Sequence, residues 1–434
     1  MRAEFDRPLD IWLATTGESL PSDGDDVRLW RTGMVARHMA AAGHRITWWT
    51  SDFIHTAKRH RFGRGVTIDR GDGVRIELLP SCGYTRHVGL RRLVDHGQVA
   101  RAFRRRAPGL PRPDVAIICY PTIELAAACA QYCNRLGIPC AIDVRDAWPD
   151  IFLEACPDVM RPLGRLALHP YQRFARRTLR RADALVSLTE SFLTWALKKA
   201  GRERRTLDSV IPMSYDPPPS GRSSQDCPQA LEGFPSFRPG IDLGICLFCT
   251  FGRQYDILTV IEAARRLAAA GGTRVHWFLC GDGEGLAEIR AAVSGLPDVH
   301  LPGWVDRNGM NAIMAACDAG LAPYHPERNF IGNIPNKPVE YLSRGLPVIS
   351  CLGGELNDLL ERHAIGFPYA ARNAGSLVEA VRRLDATRPG REDMRRRATE
   401  VYVAIFHPDI VMRRHQEFII GLARSGPADR ESGR

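Results

Sequence analysis

Short, mostly apolar runs alternate with amphipathic segments along the first half of the chain. LDIWLA (9–14), ITWWT (46–50), VRIELL (74–79), DVAIICY (114–120), CAIDV (140–144) and ALVSLT (184–189) read as strands. Between them a helix from about Val27 to Ala42, the segment TIELAAACAQYCNRL (122–136) and an arginine-rich helix carry apolar residues on one side. Continuous apolar strands separated by amphipathic helices predict a parallel sheet covered on both faces, a doubly wound α/β domain.

From 216 to 240 the periodicity stops in DPPPSGRSSQDCPQALEGFPSFRPG, a Pro-, Ser- and Gly-rich linker. The pattern then restarts with GICLFCTFG, a helix over 256–271, VHWFLCG, a helix from Gly285 to Ser294, VHLPGW, a helix around MNAIMAAC, AGLAPY and PVIS. The expected organisation is a first Rossmann-like domain over 1–215, the linker, and a second over 241–405. The helix within 406–424 is expected to pack back toward the first domain, and the tail 425–434 to be disordered. Open parallel sheets bind ligands beyond the carboxyl ends of their strands, so the expected site is a central cleft faced by both domains.

The chain has 434 residues, enough to bury more than one core, and no run of roughly 20 apolar residues that would span a membrane. MRAEFDRPLDIW lacks a basic segment followed by an apolar run, so a cytoplasmic protein is expected. The 12 cysteines are spread over a long chain and are read as free thiols. Cys246 and Cys249 lie in a strand-like run, where residues three apart point to opposite faces and cannot clasp one metal.

A formal charge of +10 is concentrated in two stretches, RRLVDHGQVARAFRRR (91–106) and RPLGRLALHPYQRFARRTLRR (161–181). Arginines alternating with apolar residues suit a peripheral position on the anionic inner face of the cytoplasmic membrane, and equally a solvated basic helix face. Nucleic acid is disfavoured, because no zinc finger or RNA-binding signature is present.

The loop TTGESLPSDGDD after the first strand is too long and polar for a dinucleotide fingerprint, and no Walker motif is present. GDGEG (281–285) between a strand and a helix is a tight turn or a weak phosphate loop. In NIPNKPVEYLSRGLPVIS (333–350) a short helix, opened by Pro338 and stopped by Gly345, puts Lys337 and Glu340 on one face.

GDGEG, LPGWV, LAPY and PNKPVEYLSRGLPVI together closely resemble the donor half of retaining glycosyltransferases of the GT-B fold, family 4 type. CTFGRQYD (249–256) resembles that family's first donor strand and basic turn, and DVRDAWPD (143–150) a subgroup that elongates bacterial surface glycans. Eight residues before Glu340 stands Gly332, so the first Glu of the family's paired-Glu pattern is absent.

The resemblance implies a nucleotide-sugar substrate, a UDP-sugar foremost, and a glycan or lipid-linked acceptor, with no cofactor and no metal. On the donor side it implicates Gly252, Arg253, Gly281, Gly283, Val305, Asn336, Lys337, Glu340 and Asp358. Lys337 and Arg253 would meet the diphosphate, and Glu340 would accept hydrogen bonds from two ribose hydroxyls. On the acceptor side, position after a strand of the first domain points to Gly17, Arg145, Trp148, His55 and Lys58, with Asp146 and Glu340 as catalytic residues. Two other readings stay open: a sugar-nucleotide epimerase of the same fold, and a non-catalytic donor-binding subunit of a glycan-assembly complex. Nothing in the sequence sets the oligomeric state.

Overall fold

The computed structural model describes residues 7–24, 27–85, 89–154, 156–217, 233–234 and 236–425. Most of the linker and nearly all of the tail expected above lie outside the described residues. The chain divides into two compact units, residues 1–212 with 411–434, and residues 213–410.

Unit 1 is built on β1 (Asp10–Ala14), β2 (Arg45–Ser51), β5 (Val66–Asp69), β6 (Val74–Leu79), β7 (Val115–Tyr120), β8 (Cys140–Val144), β9 (Ala184–Ser187) and β10 (Ser209–Val210), with a small hairpin of β3 (Phe53–Ile54) and β4 (Arg59–His60). The sheet order is β10-β9-β8-β7-β1-β2-β6-β5, and all pairs are parallel except β5 with β6. Its helices are α1 (Arg31–Ala41), α2 (Leu90–Arg106), α3 (Ile123–Leu136), α4 (Ile151–Glu154), α5 (Arg161–Arg180) and α6 (Glu190–Ala200).

Alternation along β1 sorts its side chains to two cores. Trp12 and Ala14 join Phe103 of α2, Ala126 of α3, Leu179 of α5 and Leu193 of α6. Ile11 and Leu13 join Met34 and Met39 of α1 on the other face. The expected helix from Val27 begins instead at Arg31, with Trp30 in extended backbone as its cap.

Among the described residues unit 2 has six parallel strands: β11 (Leu243–Thr250), β12 (Val275–Asp282), β13 (Val299–Gly303), β14 (Ala319–Ala322), β15 (Val348–Ser350) and β16 (Gly366–Pro368), in the order β13-β12-β11-β14-β15-β16. They are covered by α7 (Ile257–Ala270), α8 (Leu286–Ala292), α9 (Arg307–Ala316), α10 (Arg328–Ile331), α11 (Asn336–Leu342), α12 (Glu355–His363), α13 (Ala374–Ala386) and α14 (Arg391–Val401). Cys246 packs in one core and Cys249 in the other, and every described cysteine is free.

The last helix, α15 (Pro408–Arg424), buries Val411, Phe418, Ile419 and Leu422 in the α1-side core of unit 1. Among the described residues no helix is long and apolar enough to cross a membrane.

Candidate functional site

In each sheet the strand order reverses beside the central first strand, and ligands of open α/β sheets gather at the carboxyl ends on either side of that point. In unit 2 the reversal lies between β11 and β14. The loop after β11 pairs there with the end of β14: Tyr255 bridges Tyr324, their rings 4.7 Å apart, and His325 donates its backbone N–H to the Gln254 carbonyl at 2.9 Å.

Helix α11 starts at Asn336, two residues earlier than expected, with Pro335 as its cap. Pro338 therefore sits within the first turn, where its missing N–H has no helical partner to lose. Gly345, at φ +68°, closes the C-terminus, and the Leu346 amide reaches back to the Tyr341 carbonyl at 3.0 Å.

Lys337 Nζ donates to Glu340 Oε2 at 2.8 Å. A surface pair at this spacing would be solvated, but Glu340 is fully buried and Lys337 largely so. Lys337 lies near Cys249 at the end of β11, whose thiol is pushed up to about 12 by burial against the opposing pull of that lysine. Burial, with a contribution from Glu340, raises the Tyr255 hydroxyl to about 12. One turn of α11 thus brings a cation and a carboxylate to the switch point. Asn336 adds a buried Oδ1 that accepts no hydrogen bond from the described residues.

Arg253 is exposed and lines a cleft of about 500 Å³ with His325, Pro326, Glu327, Ala371 and Arg372. Gly281 and Gly283 have a packing reason: a Cβ at Gly281 would lie 1.8 Å from the Cys249 carbonyl oxygen, and one at Gly283 2.7 Å from that of Phe251. Their turn lies flat on the end of β11. Gly252 turns the chain there, its amide bonded to the Thr250 carbonyl at 2.7 Å. Val305 packs on the α9-side core, whereas its neighbour Trp304 is exposed. Asp358 is exposed in the first turn of α12. Gly332, where the family's first Glu would stand, follows α10 directly.

In unit 1 the reversal falls between β1 and β7, where Thr16 Oγ1 and Thr122 Oγ1 are 2.5 Å apart. Gly17 turns the β1 loop at φ +83°. Behind it is a buried charge network that the sequence reading missed. Glu18 accepts from the backbone N–H of Thr32 at 3.1 Å and from its hydroxyl at 2.7 Å, and is ion-paired to Arg145. Arg145 also donates to Asp143 at 3.0 Å, and Arg31 forks onto the same carboxylate at 2.9 and 3.2 Å while reaching the Pro212 carbonyl at 2.8 Å. Burial alone would raise the Asp143 carboxyl, but the two guanidinium groups hold it well below the usual carboxylate range.

Arg145 is thereby a brace between the β1 loop, β8 and α1, and the acids it pairs with are Asp143 and Glu18. Asp146 follows half-buried, and Trp148 is buried with its ring 4.6 Å from Phe152. His55 and Lys58 stand together: His55 Nδ1 is 2.6 Å from the Tyr84 hydroxyl and 3.4 Å from Lys58 Nζ. A polar residue interrupting CAIDV was the available signal for Asp143. Glu18 had none, since it lies in a loop already rich in acids.

Comparison with known proteins decides the family. A model described as "Glycosyl transferases group 1" matches residues 245–386, and one described as "Glycosyl transferase 4-like domain" matches residues 30–208. The chain belongs to the glycosyltransferases of the GT-B fold. The first match covers nearly all of the unit 2 sheet and the second most of the unit 1 sheet, without β1 and β10, with the Lys337–Glu340 turn inside the first and Arg145 inside the second.

Solved GT-B structures superpose over nearly the whole chain. Sucrose-phosphate synthase from Thermosynechococcus elongatus is 15% identical, covering 95% of this chain and 99% of that one at a TM-score of 0.69. Anabaena Alr3699/HepE in complex with UDP is 14% identical, covering 95% and 100% at 0.64. WaaG, a glycosyltransferase involved in lipopolysaccharide biosynthesis, is 15% identical, covering 95% and 100% at 0.62. At these identities the likeness speaks for the GT-B fold. A search of curated proteins finds no match to the sequence.

Proposed function

We propose that this glycosyltransferase moves a hexosyl or N-acetylhexosaminyl group, with retention, from a UDP-sugar to a growing glycan or lipid-linked acceptor, as in bacterial surface polysaccharide synthesis. The observation that carries the reading is Glu340, a buried carboxylate paired with Lys337 at the switch point of unit 2. A solvent-facing helix pair gains only a few tenths of a kcal/mol and has no cause to be buried. A ligand presenting hydroxyls to Glu340 and anionic oxygens to Lys337 supplies that cause.

In this reading Lys337 and Arg253 receive the diphosphate as the bond to the anomeric carbon breaks, so side chains rather than a metal take up the departing charge. Glu340 holds the ribose hydroxyls, and Asn336 offers its buried oxygen to the donor. Asp146 orients the acceptor hydroxyl, while Gly17, Trp148, His55 and Lys58 line the acceptor side. Support for UDP comes from HepE, solved with UDP, UDP and glucose, and UDP-glucose. Support for a surface glycan comes from WaaG. The basic helices α2 and α5 would hold the enzyme peripherally on an anionic membrane surface.

The deciding experiment offers a panel of nucleotide sugars to purified protein with and without a lipid-linked acceptor, followed by mass spectrometry. Acceptor-dependent release of UDP with a glycosylated product supports the proposal. Interconversion of sugar nucleotides without acceptor would replace it with an epimerase, and binding without turnover with a donor-binding subunit.

A further inference from the structure

At the carboxyl edge of the unit 1 sheet, two cations are held against the same ring. Lys58 Nζ lies 4.9 Å from the centroid of Tyr84, and the Arg92 guanidinium carbon lies 5.5 Å from that ring and 4.6 Å from the ring of Trp148. Both rings are buried. Stacking fixes where the charges point, yet it brings like charges together. Burial and Arg92 both lower the Lys58 ammonium from its usual value.

The platform under them is rigid. A Cβ on Gly83 would lie 2.7 Å from Phe53, so the segment entering Tyr84 is wedged against the hairpin. Its amide donates to Asp95 at 2.7 Å, and the Tyr84 hydroxyl is fixed by His55. Lys58 itself has a left-handed backbone, φ +52°, a conformation that a non-glycine residue keeps only where its surroundings impose it.

Asp95 accepts from the Gly83 amide, and Glu124 accepts through Oε1 from the Tyr171 hydroxyl at 3.0 Å. Behind the two rings, His96 Nδ1 and Glu124 Oε2 are buried 3.5 Å apart, and neither has a hydrogen-bond partner among the described residues. His96 lies 6.2 Å, ring to ring, from both Tyr84 and Trp148.

We propose that Lys58 and Arg92, carried on Tyr84 and Trp148, form a binding site for a phosphoryl or diphosphoryl group borne by the acceptor. This rests on the assignment of unit 1 to the acceptor. A point-charge ammonium beside a forked guanidinium suits a tetrahedral anion with several oxygens. Arg92 sits in the first turn of α2 among Leu90, Leu93 and Val94, all exposed, so an apolar chain attached to the anion has a surface to lie on. A soluble sugar phosphate would use the cations without that surface.

The test is calorimetric titration of the full chain with three probes: a short-chain prenyl diphosphate, a hexose 6-phosphate and inorganic pyrophosphate, each with and without saturating UDP. Lys58→Met and Arg92→Gln are each expected to weaken binding of the preferred probe about tenfold, and the double variant about a hundredfold. A charge-matched control, Arg265→Gln on unit 2, should change nothing, and urea midpoints of all variants establish that they fold. Preference for the prenyl diphosphate identifies a lipid source, and preference for the hexose phosphate a soluble one. No binding of any probe, or equal losses in the control, overturns the site. Failure of UDP to bind would count against the donor assignment alone, because the titrations without UDP still report on this site.

Discussion

Asp143 is a carboxylate inside an otherwise apolar strand, bonded by two arginines of which Arg31 is itself buried. Asp143→Asn keeps the shape and removes the charge, leaving Arg31 buried without its counterion and Arg145 with Glu18 alone. The expected loss is about 3–5 kcal/mol of unfolding free energy, read from urea denaturation. Glu340→Gln works differently, since the Lys337 side chain, though largely buried, is still 19% exposed. It should leave the urea midpoint nearly unchanged while weakening UDP-sugar binding by roughly 1.5–3 kcal/mol, ten- to hundredfold in Kd by calorimetry. An unchanged Kd would remove Glu340 from the donor site.

Burial pushes the His415 imidazole of α15 well below its usual value, with the charges of Arg31 and Arg145 acting in the same direction. The folded protein therefore keeps His415 neutral, while the unfolded chain takes up a proton below about pH 6.5. Stability is lost as pH falls through that value, at up to about 1.4 kcal/mol per pH unit for this one group. Urea unfolding between pH 7.5 and 5.5 should show the slope, and His415→Gln should reduce it by about one proton. His44, His276 and His300, whose values burial also lowers, supply the rest.

Helix α5 divides along its length. Leu179 and Phe174 pack inward, whereas Leu163 and Leu166 in the first two turns are exposed beside Arg161 and Arg165. If that end meets an anionic bilayer, each basic residue contributes about 1 kcal/mol that salt screens, and each inserted leucine a salt-resistant part of about 1.5–3 kcal/mol. Vesicle flotation of the wild type at low and high salt, beside Leu163→Ser with Leu166→Ser, separates the two contributions. Absence of flotation with anionic vesicles at low salt sinks the membrane role.

The elements that the sequence made legible are those whose pattern has one cause. The strands β1, β2, β6, β7, β8 and β9 are largely buried on both faces, so the few polar residues in them, such as Glu77 and Asp143, leave an otherwise apolar run. β5 escaped notice because it is a half-exposed antiparallel edge strand, VTID, short and only partly apolar. The Lys337–Glu340 spacing was legible, but its burial depends on how α11 packs beneath β14, which no local pattern encodes. Likewise Arg92 reads as one more arginine in a basic run until folding brings α2 beside Tyr84 and Trp148.

At the scale of the whole molecule, unit 1 is assembled from two separated stretches of chain, 1–212 and 411–434. The α1-side core is unfinished without Val411, Phe418, Ile419 and Leu422. A chain ending at Ile410 should consequently lose several kcal/mol from unit 1, each deleted large side chain being worth roughly 1.5–3 kcal/mol of burial. Circular dichroism melts of the truncated and full chains test this, and equal melting of unit 1 in both would contradict it.

That returning helix also sets an order of events on the ribosome. Unit 2 lies wholly within 213–410, so its sequence is complete before the last helix is made. The apolar face of α1 and β1 waits uncovered through the synthesis of some two hundred further residues, exposed to chaperones and to other nascent chains. A version of unit 1 made on its own would need 411–424 joined directly behind residue 212, restoring in one continuous stretch what translation delivers in two instalments.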